Sequence, residues 1–150
     1  MVNMMNIWTD GGCMENGTAD AWGAWAFVSD DGHEESGRLE QTTNNRAELQ
    51  AIINAVEHAK ARGADRVTIH TDSQLCINCA TGKWKRKANL DLWRAYADAC
   101  TSINVRFVWV RGHSGDANNE RCDALCSAAM ATTTELDADQ AEHMRSIACR

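Results

Sequence analysis

Four acids stand where acids are costly. In "NNRAELQAIINAV" (residues 44–56), Leu49, Ile52, Ile53 and Val56 recur at helical spacing and mark the apolar stripe of an amphipathic helix. Glu48 lies four residues before Ile52 and seven before Ala55, so it projects toward that stripe. An ionised acid placed there loses its water unless something pairs with it. Asp10 closes a predicted strand in "IWTDGG", and Asp72 closes another in "IHTDSQ". Each follows a threonine at the carboxyl end of an apolar strand, the edge where α/β sheets bind ligands. Asp123, in "NNERCDALC", is flanked by Cys122 and Cys126 near the inner face of its own predicted helix. Crowded carboxylates raise one another's pKa, and bound divalent cations remove that penalty. An all-oxygen donor set favours hard ions such as Mg2+ or Mn2+ over zinc. Two such ions about 3.5–4 Å apart form a clamp for phosphodiester cleavage, one activating water and one stabilising the leaving oxygen. Any one of these acids reads as well as a cap or an ion-pair partner. The four together point to a metal centre.

The elements that must position them follow from pattern. "NMMNIWTDGG" predicts a strand stopped by its two glycines, and "AWGAWAFVS" and "HEESGRLEQTT" predict strands joined across the hairpin signal "DDG". A helix over 44–62 ends at Gly63. "DRVTIHTD" is a strand with the short helix "SQLCINCAT" behind it; "NLDLWRAYADACTSI" is a helix, "NVRFVWVRG" a strand, "HSGDANN" a loop and "ERCDALCSAAMA" a helix. Three antiparallel strands followed by βαβ crossovers give an α/β fold, a five-stranded mixed sheet with three antiparallel strands, then two parallel, and helices on both faces. If the first and fourth strands are neighbours, Asp10 and Asp72 lie side by side, and the helix over the sheet leans Glu48 toward them. The domain spans 1–131; 132–150 is a Thr-rich, then acidic tail with a helical turn or two near "DADQAEHMRSI". There is no internal repeat and no proline.

Composition narrows the class. A chain of 150 residues with 44% hydrophobic content is one domain with a proper core. No run of about 18 apolar residues exists to span a membrane, and no secretory signal is visible at the start. A cytoplasmic monomer is expected, and the Met1 start and the tail after Ala131 suit a free-standing protein. The seven cysteines read as small buried residues and surface thiols; the CxxC at Cys76 and Cys79 and the pair Cys122 and Cys126 fall inside helical patterns whose apolar faces they fill. A net charge of −6 argues against retention on nucleic acid by bulk charge. Yet "KWKRK" (83–87) gathers three of the four lysines with Arg86 around Trp84. A lone basic run is ordinarily a solvated loop; an aromatic inside it suits a nucleic-acid backbone and its sugars.

Five motifs, "TDGG" (9–12), "TTNNRAEL" (42–49), "TDSQ" (71–74), "NLDLW" (89–93) and "RGHSGDANNERCDAL" (111–125), resemble in order and spacing the type 1 ribonuclease H family, which cuts the RNA strand of RNA/DNA hybrids. The resemblance covers roughly residues 5–131 and implies the ribonuclease H-like fold. It implies Asp10, Glu48, Asp72 and Asp123 as ligands of two Mg2+ ions, with Mn2+ able to substitute. It implies that His113 assists proton transfer or product release. A loop histidine titrating near neutrality is compatible with that role. It further implies minor-groove contacts from Cys13, Asn16, Asn44, Asn45 and Gln74, a DNA-phosphate pocket at Thr43 and Asn89, and sugar packing by Trp84. Amide side chains suit a surface of 2′-hydroxyls and base edges.

Departures from the family pattern concern the grip on substrate. Gln41 stands where many relatives carry an arginine of the phosphate pocket, so a charge-assisted contact is missing. Leu75 replaces an aromatic after TDSQ, and Trp84 comes about one residue late. Between Trp84 and Asn89 only "KRKA" remains of a long basic protrusion, leaving Lys85, Arg86 and Lys87 as its shortened substitute. A silent nucleic-acid-binding module on the same fold is the alternative, weakened by the intact acids and His113. A junction resolvase or transposase core is a further one, disfavoured by "TTNNRAEL" and the "GHSG" loop.

Overall fold

The computed structural model describes residues 3–112 and 115–134. Five strands, β1 (Met4–Met14), β2 (Trp22–Ser29), β3 (Glu34–Glu40), β4 (Arg66–Thr71) and β5 (Asn104–Trp109), form one mixed sheet in the order β3-β2-β1-β4-β5. β1, β2 and β3 pair antiparallel, whereas β1–β4 and β4–β5 are parallel. The helices are α1 (Asn44–Ala61), α2 (Gln74–Ala80), α3 (Leu90–Ala99) and α4 (Ala117–Thr134). α4 runs three residues past residue 131, where the sequence pattern closes the domain. The tail from residue 135 lies outside the described residues.

β1 does not stop at its glycines. It continues through Gly11 and Gly12 to Met14, paired throughout with β2. The glycines serve close approach rather than termination. A Cβ on Gly11 would land inside the Ala47–Glu48 peptide of α1, and one on Gly12 would press 2.9 Å from the Met130 side chain of α4. Successive residues of a strand face opposite sides. The two helices therefore clamp β1 from its two faces.

The α1 side carries the main core. Ile7, Phe27, Leu49, Ile52, Val67 and Ile69 are buried there, with Trp93 and Tyr96 of α3 packed on the same cluster. Each such side chain is worth about 1.5–3 kcal/mol of burial. The α4 side is thinner: Ala24 and Ala26 are small enough for Cys126, Leu125 and Met130 to lie directly on the sheet. Cys122 and Cys126 donate their thiols to the carbonyls of Trp8 (3.0 Å) and Ala24 (3.2 Å). Cys76 and Cys79 are buried as well, and all six described cysteines are free thiols. Burial pushes the Cys76 and Cys122 thiols up to about 12, far from a reactive thiolate. Among the described residues no helix is long and apolar enough to cross a membrane.

Candidate active site

Strand register brings the first two acids together. Trp8 of β1 pairs with His70 of β4, and two residues further along each chain lie Asp10 and Asp72. α1, seated against Gly11, delivers Glu48 from the same peptide that excludes a side chain there. One carboxylate oxygen from each of Asp10, Glu48 and Asp72 lies within 4.8 Å of the other two. Asp123 arrives from α4, near enough that its charge helps to raise the pKa of Asp10. That helix starts at Ala117, ahead of the predicted Glu120, because Asp116 caps it. The Asp116 carboxylate accepts the Asn119 N–H, and its carbonyl accepts the Glu120 N–H, both at 2.9 Å.

The four acids do not stand alone. A cleft of about 30 Å3, room for about two water-sized species, is lined by Asp10, Asp72, Gly112, Asn119, Glu120 and Asp123. Asn119 and Glu120 escape the motif reading, although they lie four and three residues before Asp123 and so share its helix face. Two bonds steady the backbone after β4: the Trp109 indole N–H donates to the Asp72 carbonyl at 3.3 Å, and Ser73 N–H donates to Thr71 Oγ1 at 3.1 Å.

The electrostatics are those of a site short of positive charge. Burial, followed by the charges of Asp72 and Asp123, pushes Asp10 from 3.8 up to about 7. The Gly11 N–H, donating to Asp10 Oδ1 at 2.9 Å, offsets only part of this. Glu48 is raised well above 4.5, again by burial first and then by Asp72 and Asp10. Its Oε2 is buried with no hydrogen-bond partner. An orphaned carboxylate oxygen costs free energy that neither packing nor a neighbouring acid returns. An all-oxygen cluster with an oxygen to spare fits a hard divalent cation.

The remaining predicted residues fall into three groups. Asn45, Trp84, Lys85, Lys87 and Asn89 line one cavity of about 530 Å3, floored by Leu49, Cys79 and Trp93. Cys13, Asn16, Thr43 and Asn44 gather where β1 meets α1. Asn16 Oδ1 accepts the Asn44 N–H at 3.1 Å, and the Cys13 thiol lies 3.5 Å from the Thr42 carbonyl. Gln41 and Gln74 are exposed, Gln41 with a left-handed φ of 46°. His113 lies outside the described residues. Arg86 departs from the basic cluster it was grouped with. Its Nε donates to the Cys79 carbonyl at 3.1 Å, and its guanidinium sits 4.5 Å from the Trp93 ring centroid. Aromatic stacking and a carbonyl draw this cation inward, so it anchors the loop and does not extend toward solvent.

The RNase H family model matches residues 2–131. A ribonuclease H of Novosphingobium aromaticivorans is 40% identical over 136 residues, covering 82% of this chain and 94% of that one. One of Gluconobacter oxydans is 39% identical, covering 82% and 89%. Among solved structures, LC9-RNase H1, described as a type 1 RNase H with the type 2 active-site motif, superposes with a TM-score of 0.71. It is 27% identical and covers 86% of this chain and 72% of its own.

Proposed function

The chain belongs to the ribonuclease H family and is an endoribonuclease of RNA/DNA hybrids, and on that premise we propose that Asp10, Glu48, Asp72 and Asp123 hold its divalent cations, two Mg2+ ions for which Mn2+ can substitute. The observation that carries this reading is the meeting of three carboxylates within 4.8 Å, one with a buried, partnerless oxygen. When bound, such ions lower the pKa of an attacking water and neutralise charge developing at the scissile phosphate.

The chain's own residues do the rest. Asp10 and Glu48 come from rigid elements locked together at Gly11, so their oxygens are oriented before substrate arrives. Near neutrality Asp10 is only partly ionised, and the proton it retains must leave before a cation can be held. His113 moves a proton at the leaving oxygen of the cut strand. Cys13, Asn16, Asn44, Asn45 and Gln74 face the minor groove of the hybrid, Thr43, Asn89 and Gln41 its DNA backbone, and Trp84, Lys85 and Lys87 the same strand further on. We read the enzyme as a cytoplasmic monomer with its catalytic domain in 1–131 and its tail in 132–150.

The test is cleavage of four matched short substrates, RNA/DNA, RNA/RNA, DNA/DNA and single-stranded RNA, with Mg2+, Mn2+ or EDTA. Cutting of the RNA strand in the hybrid alone, abolished by EDTA, is the expected result. Equal cutting of double-stranded RNA, or activity in EDTA, would refute it.

A further inference from the structure

Asn89 sits at the N-cap of α3, where an asparagine ordinarily turns its carbonyl oxygen onto the amides of its own helix. Here it makes no such bond, and its backbone is left-handed at φ 57°. The oxygen is taken instead by α1: Arg46 Nη1 donates to Asn89 Oδ1 at 3.2 Å. The same guanidinium is forked onto Asp91, at 2.9 Å to Oδ1 and 2.8 Å to Oδ2. Arg46 also uses its backbone N–H, which donates to Thr43 Oγ1 at 3.2 Å.

One residue thus occupies the acceptor side of two neighbours. A guanidinium has only donors, so the amide must turn its oxygen to Arg46 and its N–H2 away. The Thr43 hydroxyl, already accepting from Arg46, keeps its proton for an outside partner. Among the described residues neither the Asn89 N–H2 nor the Thr43 O–H has an acceptor. Donors without acceptors suit a ligand that has acceptors and no donors, and a phosphodiester is such a ligand. The Arg46 charge is matched by Asp91, so its role is orientation rather than attraction. Resting on the hybrid-nuclease reading above, we propose that Arg46, clamped by Asp91, is a positioning residue whose guanidinium fixes Asn89 as an outward donor, beside the Thr43 hydroxyl that caps α1, to one phosphate of the uncut DNA strand.

The test is steady-state cleavage of an RNA/DNA hybrid in which a single methylphosphonate, a neutral phosphate substitute, is walked along the DNA strand. In the wild type one position should raise KM about tenfold, the scale of one lost charge-assisted contact, with kcat little changed. Arg46→Met should raise KM about tenfold on the unmodified hybrid and keep kcat within about threefold. It should also show a clearly smaller methylphosphonate penalty at that position, because the Asn89 donor is no longer fixed while Thr43, held by a backbone N–H that the substitution keeps, still reaches the phosphate. Arg46→Lys keeps the charge and the packed stem but not the fork, and it should behave like Arg46→Met. Arg46→Met that retains the full methylphosphonate penalty, or Arg46→Lys with wild-type KM, overturns the proposal. Circular dichroism and melting temperature check that both variants fold, and the milder Arg46→Lys carries the test if Arg46→Met does not. A wild type that cuts the hybrid without any sensitive DNA phosphate overturns this inference alone. A wild type that cuts no hybrid overturns the nuclease reading itself.

Discussion

Asp10→Asn separates what the acids do for the reaction from what they cost the fold. Asparagine keeps the shape and can still accept the Gly11 N–H, now 2.9 Å from Oδ1. It removes the charge that burial and two neighbouring acids oppose. The sign follows from linkage: a carboxyl whose folded pKa lies above its unfolded one binds more protons in the native state. Stability is therefore lost as pH rises from about 4 through about 7. A rise from 3.8 to about 7 corresponds, once the group is fully ionised, to about 4 kcal/mol. The variant escapes that penalty at pH 8, and at pH 5 less than half of it remains to be escaped. With about 2–4 °C per kcal/mol for a chain of this size, the variant should melt several degrees above wild type at pH 8 in EDTA, and by a clearly smaller margin at pH 5. Millimolar Mg2+ at pH 8 should narrow or reverse the gap, because it stabilises the wild type selectively. Cleavage should fall at least ~10³-fold, about 4 kcal/mol of barrier. Thermal melts followed by circular dichroism read the first effect and hybrid cleavage the second. An Asn variant that melts at or below wild type in EDTA at pH 8, or gains equally at both pH values, refutes the electrostatic argument; one that keeps a tenth of the activity refutes the assignment of Asp10 to the cations.

Four further outcomes are expected. His113→Ala should slow turnover ~10- to 10²-fold with the Mg2+ dependence of the rate unchanged, whereas a large rise in the Mg2+ requirement would mark a ligand instead. Lys85→Ala with Lys87→Ala should raise KM at moderate salt and flatten its log–log salt dependence by up to about two phosphate contacts. Arg86→Ala should instead lower the melting temperature by the equivalent of about 1 kcal/mol, since it stacks on Trp93; a salt-slope change without a stability change would return it to the surface cluster. Gly11→Ala should cost at least about 3 kcal/mol in denaturant unfolding, because its Cβ meets backbone that cannot yield; a neutral result would mean that α1 can slide off β1.

The strands and the crossover helices were legible because their apolar periods are strong. The pairing of β1 with β4, which sets Asp10 beside Asp72, was only a condition in the sequence reading, because strand periodicity does not say which strands are neighbours; the register supplies it. Gly11 and Gly12 misled because a glycine that breaks a strand and one that admits a helix look identical without the helix. Asp116 was read as loop because an N-cap is itself non-helical; the helix begins one residue later. Arg86 was grouped by composition, and composition is blind to the inward pull of Trp93. The link from Arg46 to Asn89 joins residues 43 positions apart, so no local pattern reveals it.

The acids are drawn from β1, α1, the residue just after β4, and α4, and β1 lies at the centre of the sheet. No single hairpin or helix pair contains the site, so no partly folded fragment can keep it. If the acids hold cations as proposed, opening any of the four segments would forfeit them, and their binding free energy would add to the cost of that opening. Amide hydrogens of β1 should then exchange only through global unfolding, and exchange should slow in step with metal concentration. β3 is an edge strand that carries none of the four acids. It can fray while the site stays whole, so its amides should exchange at a rate indifferent to metal. On that proposal the fold would have a permissive margin and a metal-governed interior, and hydrogen exchange would map the border between them strand by strand.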